Sequence, residues 1–260
     1  MKIAKVCKQW ELPFNFDLKS EENVSLHNRS YLHYAADHQD MVATKAWATK
    51  WLLEDIVENK EYTAHEYMAG IGIQSLLIQK LFKIKQHIIG ELDEGCIEHL
   101  SNIEWGVTPI IKHQNAFDAA KENDTSDLKF LDVPNSSILQ MNTKWKDIFF
   151  RLFESKPELV VWTDTSVTYP MSIHGERYSN IFSEPVSDKY SYAEAYSRWL
   201  DRTFGYKIKR AAFRGKNAVY FAAVPSYNTT KLDMNAFPLA DTSDGFYFIG
   251  EERNNLESFF

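Results

Sequence analysis

Two acids and two glycines are spaced along Tyr62–Glu91, YTAHEYMAGIGIQSLLIQKLFKIKQHIIGE, so that they could build a nucleotide-type pocket. Glu66 lies in a short apolar-rich run. Gly70 and Gly72 follow in a turn, then a helical pattern, a second strand-like run and Glu91. Glycine carries no Cβ, so neighbouring peptides can approach a ligand at Gly70 and Gly72. A helix starting after the turn presents unpaired N–H groups there. A carboxylate across the pocket, at Glu91, can accept hydrogen bonds from a ribose diol.

Other residues carry weaker signals. Asp164 directly follows the apolar run LVVW at 159–162. There it can accept a hydrogen bond from an attacking amine or hydroxyl, or help remove a proton; equally it can cap the next element. Tyr169, in Thr168-Tyr169-Pro170, is a candidate aromatic wall for a substrate. Between Arg202 and Lys216, RTFGYKIKRAAFRGK holds six cations and no acid. Lys207, Lys209, Arg210 and Arg214 could track a DNA or RNA backbone, or be solvated charges on the outer strand of a hairpin. His174-Gly175-Glu176-Arg177 reads as an exposed loop, with phosphate positioning as the alternative. His65-Glu66-Tyr67 lacks the HExxH spacing, and His27, His33 and His38 with Asp37 and Asp40 make no complete ligand set, so no metal is expected.

The elements that must position these residues follow an α/β rhythm. A helix is expected from Met41 to about Val57, then a strand at 62–68, a glycine turn at 69–72 and a helix from Ile73 to Phe82. A second strand runs from His87 to Glu91, a helix from Cys96 to Ile103 and a third strand from Val107 to Lys112. DTSDLKFLDVPNSS reads as a surface excursion. A helix at Lys144–Glu154 then leads to a fourth, buried strand, LVVW. No fifth parallel strand is visible between Pro170 and Tyr192, which implies a shortened or rearranged sheet. After a helix around Tyr192–Phe204, YKIKRAAF and AVYFAAV form an antiparallel hairpin about RGKN, and GFYFIG at 245–250 is a further strand candidate.

Composition narrows the function classes. At 260 residues and 44% apolar, the chain can bury one sizeable core. A formal charge of −7 argues against a protein that coats nucleic acid non-specifically, while leaving room for a local basic groove. No apolar run reaches membrane-spanning length, so no membrane partner is expected. The start, MKIAKVCKQWELPF, lacks the apolar core of a secretory signal. Two cysteines, Cys7 and Cys96, form neither a disulfide framework nor a metal knuckle, which suits a reduced, cytoplasmic setting.

From about Met41 to Val224 the order of motifs resembles the class I S-adenosylmethionine-dependent methyltransferases. Glu66-Tyr-Met-Ala-Gly70-Ile-Gly72 resembles the family's first motif, with Met68 where many members have a glycine. Glu91 in IIGELD matches the acid that ends strand two. FGYKIKRAAFRGKNAVYFAAV resembles the closing hairpin. The resemblance implies an open Rossmann-like sheet with a terminal antiparallel hairpin over 41–224. Residues 1–40 would be an extension or pocket cover, and 225–260 an extension packed on the domain. It implies S-adenosylmethionine as cofactor, with Glu66, Ala69, Gly70 and Gly72 around its methionyl part and Glu91 on its ribose. Asn115 and Asp118 of HQNAFD would meet adenine; an Asx turn is the alternative for Asn115. Asp164 would stand on the substrate side. Asp164-Thr-Ser-Val lacks the two prolines and aromatic of base-amino methyltransferases, and neither cysteine lies where a cytosine-C5 enzyme needs its nucleophile. A dinucleotide-binding dehydrogenase competes less well: Ser75 stands where its fingerprint wants a third small residue, which serine can satisfy, but the terminal hairpin favours the methyltransferase resemblance. The implied function is methyl transfer to nucleic acid; the alternative is a catalytically inactive protein of the same fold that binds nucleic acid or protein.

Overall fold

The computed structural model describes residues 3–13, 35, 39–54, 56, 58–132, 143–165, 171–214, 218–228 and 246–247. They fall into two compact units, divided between Glu122 and Asn123.

The first unit contains α1 (Ile3–Gln9), α2 (Gln39–Leu53), β1 (Glu61–Glu66), α3 (Ile73–Leu81), β2 (Lys83–Glu91), α4 (Glu94–Ser101), β3 (Ile110–His113) and α5 (Ala116–Ala119). β2 pairs in parallel with β1 on one side and β3 on the other. Parallel neighbours need a crossover, and α3 and α4 supply it. α3 turns Ile73, Leu76, Leu77 and Ile78 inward, as its sequence periodicity requires. Asp93 starts α4, its side chain accepting the Cys96 N–H at 2.9 Å.

The second unit contains β4 (Leu128–Leu131), α6 (Thr143–Glu154), β5 (Leu159–Thr165), α7 (Met171–Phe182), α8 (Lys189–Phe204), β6 (Tyr206–Arg214), β7 (Ala218–Pro225) and β8 (Phe246–Tyr247). Its strand order is β4-β5-β7-β6-β8, parallel from β4 to β5 and antiparallel thereafter. Aromatic rings fill its core. Trp162 of β5 lies 5.2 Å from both Phe149 and Phe221 and 5.7 Å from Tyr196, centroid to centroid.

Parallel strands joined by helices and closed by an antiparallel hairpin make the expected Rossmann-like α/β fold. Three expectations are corrected. The surface excursion contains β4, all four of whose residues are buried. LVVW is therefore the fifth strand in chain order, and the sheet is not short of one. His174–Arg177 belongs to α7 rather than to a loop; Gly175 is buried there, and a Cβ on it would sit 2.5 Å from the Val186 carbonyl oxygen. Most of the expected N-terminal cover and C-terminal extension, and Tyr169, lie outside the described residues.

Candidate cofactor site and substrate-side residues

The carboxyl ends of β1 and β2 meet around one carboxylate. Glu91 Oε2 accepts the Gly70 N–H at 2.6 Å, while Oε1 accepts those of Leu92 at 2.7 Å and Asp93 at 2.9 Å. Glu91 is half-buried, and these three donors fix its orientation. The loop between β1 and α3 closes on itself. Ala69 N–H donates to the Gly90 carbonyl at 3.2 Å, and Gly72 N–H to the Ala69 carbonyl at 3.1 Å. Gly70 and Gly72 have φ of 56° and 81°, which favours glycine at both.

Glu66, at the tip of β1, is 2% exposed and accepts a hydrogen bond from the hydroxyl of Ser75, itself fully buried. Ala69, three residues on, is buried as well. Gly72 has a packing role as well as a turn role. A Cβ there would lie 2.5 Å from Leu100 Cδ2 and 3.2 Å from Ile103 Cδ1, so its missing side chain makes room for α4 and the loop after it. His99 of α4 is hydrogen-bonded to the Ile71 backbone, and burial pulls its pKa down.

At the third strand end, Gln114 N–H donates to the Glu91 carbonyl at 2.9 Å. Asn115 caps α5: its Oδ1 accepts the Asp118 N–H at 2.9 Å, and its Nδ2 donates to Asp118 Oδ2 at 2.8 Å. The Lys121 ammonium, with help from Asn115, holds the Asp118 carboxyl below its usual pKa. The Asx geometry that was the alternative for Asn115 is thus present.

In the second unit, Asp164 is fully buried inside β5, one residue before its end, opposite Val219 of β7. Its Oδ2 accepts the Tyr192 hydroxyl at 3.0 Å. Burial first, and the Asp164 charge second, push Tyr192 and Tyr196 well above the usual tyrosine pKa. The end of the fourth strand, where the sequence pattern puts Asp164, belongs instead to Leu131 and Asp132. Asp132 is half-buried and accepts a hydrogen bond from Thr163. Sequence reading missed it; an acid two residues before a proline, Asp132-Val-Pro134, was the available signal.

The basic hairpin is less free than its composition implied. Lys207 pairs with Asp201 at 3.3 Å, and Arg202 with Glu184. Arg210 is 8% exposed. The pairing steps from Ile208↔Ala223 to Arg210↔Ala222, so a bulge at Lys209 breaks the alternation along β6. Lys209 is half-buried, and the side chain of Arg214 lies outside the described set. Among the described residues, no helix is long and apolar enough to cross a membrane, and no cluster of three or more potential metal ligands occurs.

No family model matches the sequence, and no curated protein matches it. Solved structures do. Trm1 from Pyrococcus horikoshii, in complex with S-adenosyl-L-methionine, aligns with a TM-score of 0.53 at 10% identity over 85% of this chain and 71% of its own. The chain has the class I methyltransferase fold. N-methyltransferase NodS from Bradyrhizobium japonicum WM9, in complex with S-adenosyl-L-homocysteine, aligns with a TM-score of 0.49 at 6% identity over 76% of this chain and 93% of its own. At 10% identity the likeness to Trm1 shows the fold alone.

Proposed function

We propose that the protein is an S-adenosylmethionine-dependent methyltransferase. The observation that carries this reading is the Glu91 clamp, a carboxylate oriented by three backbone N–H groups at the junction of β1 and β2. A carboxylate so held keeps one acceptor position, on Oε2, for a ribose hydroxyl, and offers it without first losing side-chain entropy. Charge and hydrogen bonding also weigh against a pyrophosphate ligand. The N–H groups of Ala69, Gly70 and Gly72 are engaged inside the protein, and the carboxyl groups of Glu66 and Glu91 flank the loop. Two carboxylates suit a cofactor carrying sulfonium and ammonium charge and repel phosphates. Ser75, at the third fingerprint position, is committed to Glu66.

Glu66, Ala69, Gly70 and Gly72 would line the methionyl end, Glu91 the ribose, and Asn115 with Asp118 the adenine. The bound cofactor would supply an electrophilic methyl group. This chain's contribution is to orient it and to stabilise charge at the acceptor. Asp132, at the end of the fourth strand, is a candidate to hold a substrate proton donor. Asp164 would act on that side through Tyr192, as a positioning group. A nucleic-acid acceptor is the finer proposal, supported by the cations of the β6–β7 hairpin, of which Lys207 and Lys209 remain partly exposed.

Calorimetry with S-adenosylmethionine and S-adenosylhomocysteine tests the cofactor. Folded protein that binds neither would sink the reading. Glu91→Gln sets an amide N–H against one of the three backbone donors. Its affinity should fall about 10- to 150-fold, for a lost charge-assisted bond of roughly 1.5–3 kcal/mol. Binding without methyl incorporation into DNA, RNA or protein would favour the inactive alternative. If the hairpin meets nucleic acid, neutralising Lys207 and Lys209 together should weaken DNA or RNA binding most at low salt.

A further inference from the structure

The glycine loop is gripped from behind by the start of the chain. Ile71 sits between Gly70 and Gly72, is 2% exposed, and belongs to the same packed cluster as Val6, Cys7 and Leu12. Val42, Ala43 and Ala46 of α2 complete that wall. Polar contacts tie the segment to its surroundings: Glu11 pairs with Lys80 of α3 at 3.2 Å, and Lys50 of α2 lies 5.8 Å from the centre of the Trp10 ring. On the other side, Leu100, Ile103 and Trp105 crowd Gly72, and Glu91 holds Gly70. Ile71 thus stands between two glycines of positive φ.

We propose that α1, the turn ending at Leu12 and α2 are the mount of the cofactor loop, acting through Ile71 as a pin. Residues buried behind the loop then set its affinity for cofactor. The proposal rests on the cofactor reading above. It assigns the N-terminal segment a positioning role rather than that of a cover. The physical basis is population. A loosened mount lowers the fraction of molecules whose loop holds the binding geometry, and apparent affinity falls by that fraction. A passive N-terminal scaffold would change stability and leave affinity alone.

The test uses the full chain and three variants: Val6→Ala, Ile71→Val and, as a control in the second unit, Leu152→Ala at a fully buried position of α6. Each is checked for folding by circular dichroism, and S-adenosylhomocysteine affinity is measured well below every melting temperature. Val6→Ala and Ile71→Val should weaken binding by about fivefold or more, the lower end of ordinary coupling between sites. Leu152→Ala should lower the melting temperature and leave affinity unchanged. Wild-type affinity in both mount variants would overturn the mount while leaving the cofactor reading intact. A wild-type chain that binds neither S-adenosylmethionine nor S-adenosylhomocysteine would overturn the cofactor reading and this proposal with it. Should Ile71→Val fail to fold, Val6→Ala alone decides, because it leaves the loop's own sequence untouched.

Discussion

Glu91 in the first unit and Asp164 in the second are both acids near the end of a strand, and the fold places them in opposite surroundings. Glu91 is half-buried, and backbone N–H groups turn it toward a glycine loop. Asp164 is fully buried under Tyr192, in a core of stacked and edge-on rings. The neighbouring elements make the difference. After β2 the chain passes Leu92, 59% exposed, into a capped helix, so the strand end stays open. Beside β5 stands α8, whose tyrosines close over the acid. A strand-end carboxylate stays accessible only where nothing large packs over it.

The largest separation of the two units should appear with pH. His87 of β2 is 1% exposed. Burial first, then neighbouring His65, lowers its pKa to about 3. Between that value and 6.5 the unfolded chain binds a proton that the folded chain refuses, so stability falls as pH falls through this window. Over the full window the loss amounts to about 5 kcal/mol, at roughly 1.36 kcal/mol per pH unit. His87→Leu should flatten this acid limb in urea titrations between about pH 4 and 7. In the second unit the sign reverses. Tyr192 and Tyr196 are raised well above 10, so they stay protonated in the fold while the unfolded chain ionises. Their contribution is present below pH 10 and is lost as pH rises beyond it. Tyr192→Phe should soften the alkaline limb. An acid limb unchanged by His87→Leu would break the contrast.

Two glycines sharpen the comparison next. Gly72 and Gly205 both have positive φ, 81° and 74°, but a Cβ on Gly72 would strike Leu100 whereas one on Gly205 would meet nothing within 4 Å. Gly205→Ala should therefore cost only the backbone term, about 1–2 kcal/mol. Gly72→Ala should add overpacking, for about 2–5 kcal/mol in all. Equal costs in chemical denaturation would show that the contact with α4 yields freely.

A smaller effect is expected at the buried acid. Tyr192→Phe removes the hydroxyl from Asp164 and should cost about 1–3 kcal/mol at neutral pH. In combination with Asp164→Ala the losses should not add, because both remove the same contact. Additive losses would assign Asp164 to other partners.

The first unit was legible because its signals are local. Gly70 and Gly72, the period of Ile73, Leu76 and Leu77, and Glu91 all lie within one crossover, and α3 was located to within a residue. The β6–β7 hairpin was legible for the same reason. β4 was not. It is four residues long, contains Lys129, and is flanked by turn-forming Asp, Ser, Pro and Asn. Lys129 is buried with Asp124 turned back to it at 3.2 Å, a contact no strand pattern announces. Missing β4 moved Asp164 one strand too early. Its burial depends on Tyr192, 28 residues later, which only the folded chain brings to it.

The smallest effect decides between the two roles of Asn115. As the cap of α5, its side chain accepts the Asp118 N–H. Asn115→Ala should cost about 1 kcal/mol or less, since the helix is a single turn near the surface. Asn115→Ser retains a capping oxygen but shortens the reach and removes the amide. If capping is its whole function, serine should restore both stability and cofactor affinity. If Asn115 also meets adenine, serine should restore stability while affinity stays reduced. Thermal melts and calorimetry on the wild type and both variants separate the outcomes. Full recovery by serine would remove Asn115 from the cofactor site and leave Glu91 as the principal polar contact of the first unit.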